Sequence, residues 1–213
     1  SMTSGMIIVI GLLAFTLVSG LLLASNRSQG GRSSGETWRA FAQASGGTYS
    51  QNPFGRARKV TFTDGGRTIT LEAWSTLDGP GDSILSYTKL LAQGTFDPAA
   101  CFQLHAESRK SAQPSLALTQ RGGQPFQTGD PGLDAAYEAR SSDPARGAAL
   151  MSNPRVRELL LRLNGNEAYL DLASEGGRWL VRFGDQDAPL SVARLQDAQQ
   201  LIAAVLDDLA PSP

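Results

Sequence analysis

The feature that most constrains this chain is an uncharged apolar run, Met6-Ile7-Ile8-Val9-Ile10-Gly11-Leu12-Leu13-Ala14-Phe15-Thr16-Leu17-Val18-Ser19-Gly20-Leu21-Leu22-Leu23. As a helix rising about 1.5 Å per residue it reaches roughly 27 Å, enough to cross the hydrocarbon core of a bilayer. The five residues before it carry no Lys or Arg, the run exceeds a usual signal-peptide core, and Leu22 before Ala24 spoils an A-x-A cleavage site. The expectation is a retained single transmembrane helix, with a cleaved signal peptide as the competing reading. Arg27, Arg32 and Arg39 follow the span and nothing basic precedes it. The positive-inside rule then expects the large domain in the cytoplasm, with a periplasmic placement as the alternative. Thr16, Gly20 and Ala24 repeat at i, i+4 and i+8. This small-residue stripe would let a partner membrane helix approach closely.

The rest of the chain is charge-balanced, with 19 basic and 20 acidic side chains. That argues against a nucleic-acid binder, which needs a strongly positive surface. The balance conceals an asymmetry: Arg27 to Arg121 holds 11 Lys and Arg against 7 Asp and Glu, and the remainder holds 8 against 13. Such halves fit an internal pairing pattern or a docking surface. A single cysteine, Cys101, excludes an intrachain disulfide and any multi-thiolate metal centre. It reads as a small buried hydrophobe.

After the span, residues 25–35 are Ser-, Gly- and Arg-rich and read as a tether with an r.m.s. reach of roughly 18 Å. The expected organisation is a tail and transmembrane helix over 1–24, a linker over 25–35, one domain over 36–209 and a short tail over 210–213. Trp38, Phe41, Ala42 and Ser45 sit at helical spacing before Gly46-Gly47. Period-two alternation then predicts strands at Val60–Thr63 and Ile69–Trp74, joined at Asp64-Gly65-Gly66-Arg67, and further strands at Ile84–Ala92 and Cys101–Glu107. These four would form an antiparallel meander. Residues 108–129 read as a loop with one short strand at Leu116–Leu118, and another strand is expected near Ala136–Arg140.

Asp143-Pro144 and Asn153-Pro154 each supply a cap and a first-turn proline, for helices over Ala145–Met151 and Arg155–Leu163. Strands at Ala168–Ala173 and Arg178–Phe183 and a long amphipathic helix over Ser191–Leu209 complete the domain. The fold class is therefore α+β: one transmembrane helix, then a largely antiparallel sheet packed with helices.

Motifs for nucleotide, dinucleotide, haem or nucleophile-elbow chemistry are absent, and no cofactor is implied. His105 is the sole histidine, on a strand face with Gln103 and Glu107, and reads as structural or exposed. Asp130, Asp134 and Glu138 stand four apart and on a helix could ligate a hard cation or work as an acid–base pair. Asp130-Pro131-Gly132, however, is turn chemistry, and a strand beginning near Ala135 would scatter the carboxylates between two faces.

The segment Thr128-Gly129-Asp130-Pro131-Gly132-Leu133-Asp134-Ala135-Ala136-Tyr137, closing on Asp143-Pro144 and followed by the Asn153–Leu163 helix, two strands and a terminal helix, carries a resemblance. With the apolar N-terminus it resembles a diffuse group of uncharacterised bacterial membrane-anchored domains with a GDPx(F/L)D motif, best over Thr128–Leu209. Leu133 and Tyr137 stand where that pattern has phenylalanines. The resemblance implies only the fold and a bacterial source and transfers no activity or catalytic residue; together with the apolar run, the expected location is the bacterial inner (cytoplasmic) membrane.

Three functions are compatible with these residues. The first is a non-enzymatic, single-pass accessory subunit docked on other integral membrane subunits, for instance of a respiratory or photosynthetic complex. The second is a membrane-tethered ligand-binding or sensory domain. The third is a hydrolase-type enzyme using His105 with Glu107, or Asp130 with Asp134.

Overall fold

A computed structural model describes residues 35–52, 57–77, 84–94, 101–110, 123–175, 178–185 and 191–209. Helix α1 (35–45) buries Trp38, Phe41 and Ala42, and the Phe41 ring meets Phe62 edge-on at 5.6 Å. The chain turns back at Gly47, whose N–H donates to Ala42 O, and enters β1 (Thr48–Gln51). Strands β2 (Arg58–Asp64), β3 (Arg67–Leu77) and β4 (Ile84–Gly94) follow, each antiparallel to its predecessor. Gly65 and Gly66 both have positive φ, as the two-residue turn between Asp64 and Arg67 requires for its twist to match the strands.

The meander stops at β4. Strand β5 (Leu104–Ser108) does not pair with it, contrary to the four-strand meander expected from alternation. The hairpin of β8 (Tyr169–Glu175) and β9 (Arg178–Asp185) lies between them, and β7 (Tyr137–Ser141) and the short β6 (Gln124–Phe126) complete the other side. Among the described residues, nine strands form one fully antiparallel sheet in the order β1-β2-β3-β4-β9-β8-β5-β7-β6. Alternation reports a strand's buried face and carries no information about its neighbour. The sequence reading also lacked β1 and β6, both short and polar. Leu116–Leu118 lies outside the described residues.

Register aligns Val60, Leu71, Leu90, Phe183, Leu170, Ala106 and Ala139 in one buried row across seven strands. On this face pack α1, α2 (Pro131–Ala136), α3 (Pro144–Ser152), α4 (Pro154–Leu163) and α5 (Val192–Asp208). Val156, Leu159, Leu160 and Leu163 of α4 join this core, as do Leu195, Ile202 and Val205 of α5. Each fully buried leucine contributes about 2–3 kcal/mol of transfer free energy. Asp185, on the same face at the end of β9, receives the Arg194 guanidinium from the first turn of α5 and ties helix to sheet.

Three of the helices start alike, with Asp or Asn followed by proline. Asp130 accepts from Gly132 N and Leu133 N, Asp143 from Arg146 N, and Asn153 from Arg155 N. The proline at the first helical position lacks the N–H that would go unsatisfied there. The first of these starts was expected to be a turn running into a strand. Instead α2 makes a single helical stretch that passes directly into β7 at Tyr137, because two N–H groups bonded to Asp130 nucleate it.

The sheet and helices thus bear out the α+β class. No helix among the described residues is long and apolar enough to cross a membrane. Met6–Leu23, with Thr16, Gly20 and Ala24, lies outside the described residues.

Candidate functional site

The sheet face turned away from the helices holds the chemistry. Arg182, Asp171, His105 and Arg140 stand in register on β9, β8, β5 and β7 of that face. Two residues further along, Tyr169 and Glu107 are cross-strand neighbours on it. Toward β2 and β3 the face is open, with Thr61, Thr63, Thr68 and Thr70 half-buried or exposed. At its centre the charges are buried: His105 is 6%, Glu107 5%, Asp171 1% and Arg182 7% exposed. Groups of this kind are rarely so enclosed unless paired.

Pairing is what the geometry shows. His105 Nδ1 lies 3.4 Å from Asp171 Oδ1, and Nε2 lies 3.6 Å from Glu107 Oε2. Arg182 Nη1 is 3.6 Å from the other Asp171 oxygen, and Nη2 pairs with Glu175 Oε1 at the strand end. The Tyr169 ring stacks on the imidazole at 6.0 Å with an interplanar angle of 25°. Burial alone would lower the imidazolium pKa, but the hydrogen bonds and charges of Asp171 and Glu107 outweigh it and leave His105 above 6.5. Glu167, in the turn before β8, is pushed upward first by burial and then by the Glu107 charge. Two cations, His105 and Arg182, thereby meet two buried carboxylates, Asp171 and Glu107, and loss of the His105 proton would leave a buried negative excess.

The imidazole thus meets Asp171 at hydrogen-bond distance through Nδ1 and stands as an ion pair with Glu107 through Nε2, so its charged form sits between two carboxylates. The arrangement therefore holds a proton in place. Of the residues the sequence grouped with His105, the structure brings Glu107 to it. Gln103 is exposed ahead of β5, where its N–H donates to Ser142 Oγ and its carbonyl accepts from Ser141 Oγ. Sequence reasoning missed Asp171, Arg182 and Tyr169, which reach His105 only through the inserted β8–β9 hairpin. A signal was nevertheless present, since Asp171 sits between Leu170 and Leu172 and Arg182 between Val181 and Phe183.

The second candidate group separates into architectural roles. Asp130 caps α2 and receives the Arg157 guanidinium, whose hydrogen bond, with that of Leu133 N, holds its carboxyl below the usual range. Asp134 accepts from Thr128 N at 2.7 Å, Thr128 Oγ1 at 2.8 Å and Gly129 N at 3.2 Å. Glu138 lies exposed on β7, 3.9 Å from Arg109. The three face different ways, and no group of His, Cys, Asp and Glu able to hold a metal ion occurs among the described residues. Cys101 is half-buried rather than enclosed.

Neither a family model, nor a curated protein, nor a solved structure matches this chain.

Proposed function

We propose that this chain is a single-pass, membrane-anchored accessory domain of the bacterial inner membrane that docks on other integral membrane subunits and performs no chemistry of its own. The observation that carries the reading is the commitment of its acid–base groups to architecture. Asp130 and Asp134 hold a helix start and the loop before it, and His105 is bracketed by two acids inside the sheet. The uncharged Met6–Leu23 run and the Thr16/Gly20/Ala24 stripe support a membrane anchor with a helical partner. The arginines after the run support a cytoplasmic domain.

Gentle detergent extraction from the native membrane, followed by native electrophoresis and identification of co-migrating chains, tests the proposal. Migration within a large assembly is the expected result. A small lone particle would overturn it and favour the second reading, a membrane-tethered sensory domain. The buried, proton-holding His105–Asp171–Glu107 cluster is the observation that favours that alternative.

A further inference from the structure

The boundary between β8 and β5 is a seam in the sheet. It pairs Leu104–Glu107 with Tyr169–Leu172, four residues of each strand, whereas β8 and β9 pair over seven and follow one another in the chain. His105 and Asp171 stand 66 positions apart in sequence, so no hairpin turn closes the seam. Among the described residues, β5, β7 and β6 lie on one side of it and the other six strands on the far side.

Its two faces are held differently. Toward the helices Leu104 meets Leu172 and Ala106 meets Leu170, and Ala106 is too small to bury much apolar surface. On the other face His105 stands opposite Asp171 and Glu107 opposite Tyr169. The bond from Ser108 N to Ala168 O sets the phase of the ladder, which makes His105 and Asp171 a non-hydrogen-bonded pair, the kind whose side chains approach most closely. Their contact, 3.4 Å from Nδ1 to Oδ1, is an ion pair across the seam only while the imidazole carries its proton.

Among the described residues, charged and titratable groups face this imidazole from each strand around it. Glu107 lies along β5, Asp171 and the Tyr169 ring come from β8, and Arg182 reaches Asp171 from β9. On β7, Arg140 is opposite His105 and donates to Gly123 O, and Glu138 is opposite Glu107 and pairs with Arg109. Glu167, before β8, feels the Glu107 charge, and Lys89 of β4 is opposite Gly184 beside Tyr169. Glu107, Asp171, Tyr169 and Lys89 make further interactions, so the imidazole shares the closing of the seam with other contacts. Loss of its proton nevertheless subtracts one positive charge from beside two buried carboxylates, and parting of the strands would rehydrate them.

We infer that His105 is a proton-operated latch on the β5–β8 seam: protonated, it clamps β5 to β8, and deprotonated it lets the two strands part locally while the β1–β4 meander stays paired. The latch gives the domain a response to rising pH that an accessory role does not require, and it does not rest on the membrane anchor.

The test is amide hydrogen exchange, read by NMR on the full chain in detergent micelles from pH 6 to pH 9 and expressed as protection factors, so that base catalysis of exchange cancels. By the ladder phase, the amides of Leu104, Ala106, Leu170 and Leu172 bond across the seam. Their protection should fall at least about fivefold over this range, while that of 60–63 and 69–72 holds. The fall should coincide with titration of the imidazole resonances of His105, the sole histidine. His105→Gln should show the lower seam protection at every pH with β2 and β3 as in the parent; if that variant does not fold, the coincidence in the parent decides. Constant seam protection, an equal fall in β2 and β3, or a fall at a pH where the imidazole does not titrate would each overturn the latch.

Discussion

The Tyr169 ring occupies the space beside Gly184, its partner across β8 and β9, that any side chain at position 184 would fill. The same ring stacks on His105. Gly184 therefore shapes the charged centre of the sheet at one remove, by letting Tyr169 lie down.

Gly184→Ala should displace the Tyr169 ring and destabilise the fold by about 1–2 kcal/mol, the ordinary cost of one added carbon in a packed site. Chemical denaturation measures the loss. Tyr169→Ala made with it should relieve part of the clash, so the two changes should be non-additive.

Stability should depend on pH through His105. Its folded pKa lies above 6.5 because Asp171 and Glu107 bind the imidazolium, although burial opposes it. The folded chain thus holds this proton more tightly than the unfolded chain. The resulting stabilisation is complete below the unfolded pKa near 6.5 and fades as pH rises through the higher folded value. Denaturation midpoints of the parent and of His105→Asn, measured from pH 6 to pH 9, should converge as pH increases. A constant gap would count against the charged imidazole.

The acids around α2 should ignore divalent cations. Asp134 already accepts three hydrogen bonds and Asp130 is held by Arg157, so calcium, magnesium or a chelator should leave the melting temperature unchanged. Asp134→Ala should cost about 1–3 kcal/mol by stranding its donors.

Tyr137→Phe removes the buried bond from the phenol to Leu160 O at 2.8 Å, while keeping the ring. The expected loss is about 1 kcal/mol. Burial also pushes this phenol well above its ordinary pKa, so alkaline titration should find it ionising at a higher pH than a free tyrosine.

In the anchor, Gly20→Leu should weaken association with a partner helix, since bulk at the centre of the Thr16/Gly20/Ala24 stripe keeps backbones apart. Co-purification from native membranes is the readout, and undiminished recovery of the partner would remove the stripe from the interface.

Local elements could be read from the sequence wherever a buried face repeats. Val156, Leu159, Leu160 and Leu163 marked α4, and Trp179, Val181 and Phe183 marked the core face of β9. Expected bounds for α3, α4 and α5 fall within a few residues of those observed, because each start carries its own cap. The neighbour relations were hidden. Nothing in Cys101–Glu107 signals that β5 pairs with β8 on one side and β7 on the other. For the same reason His105 could be joined to Glu107, two residues along one strand, but not to Asp171 on another.

The place of β9 beside β4 sets a timetable for a growing chain. When β4 has been made, its outer edge awaits a partner that begins at Arg178. At translation speeds of about 5–20 residues per second that wait lasts on the order of 4–17 s. Throughout it, the β1–β4 meander carries an unpaired edge that other nascent chains could occupy. Closing the sheet with its last hairpin makes release of the C-terminal third the step that protects the first.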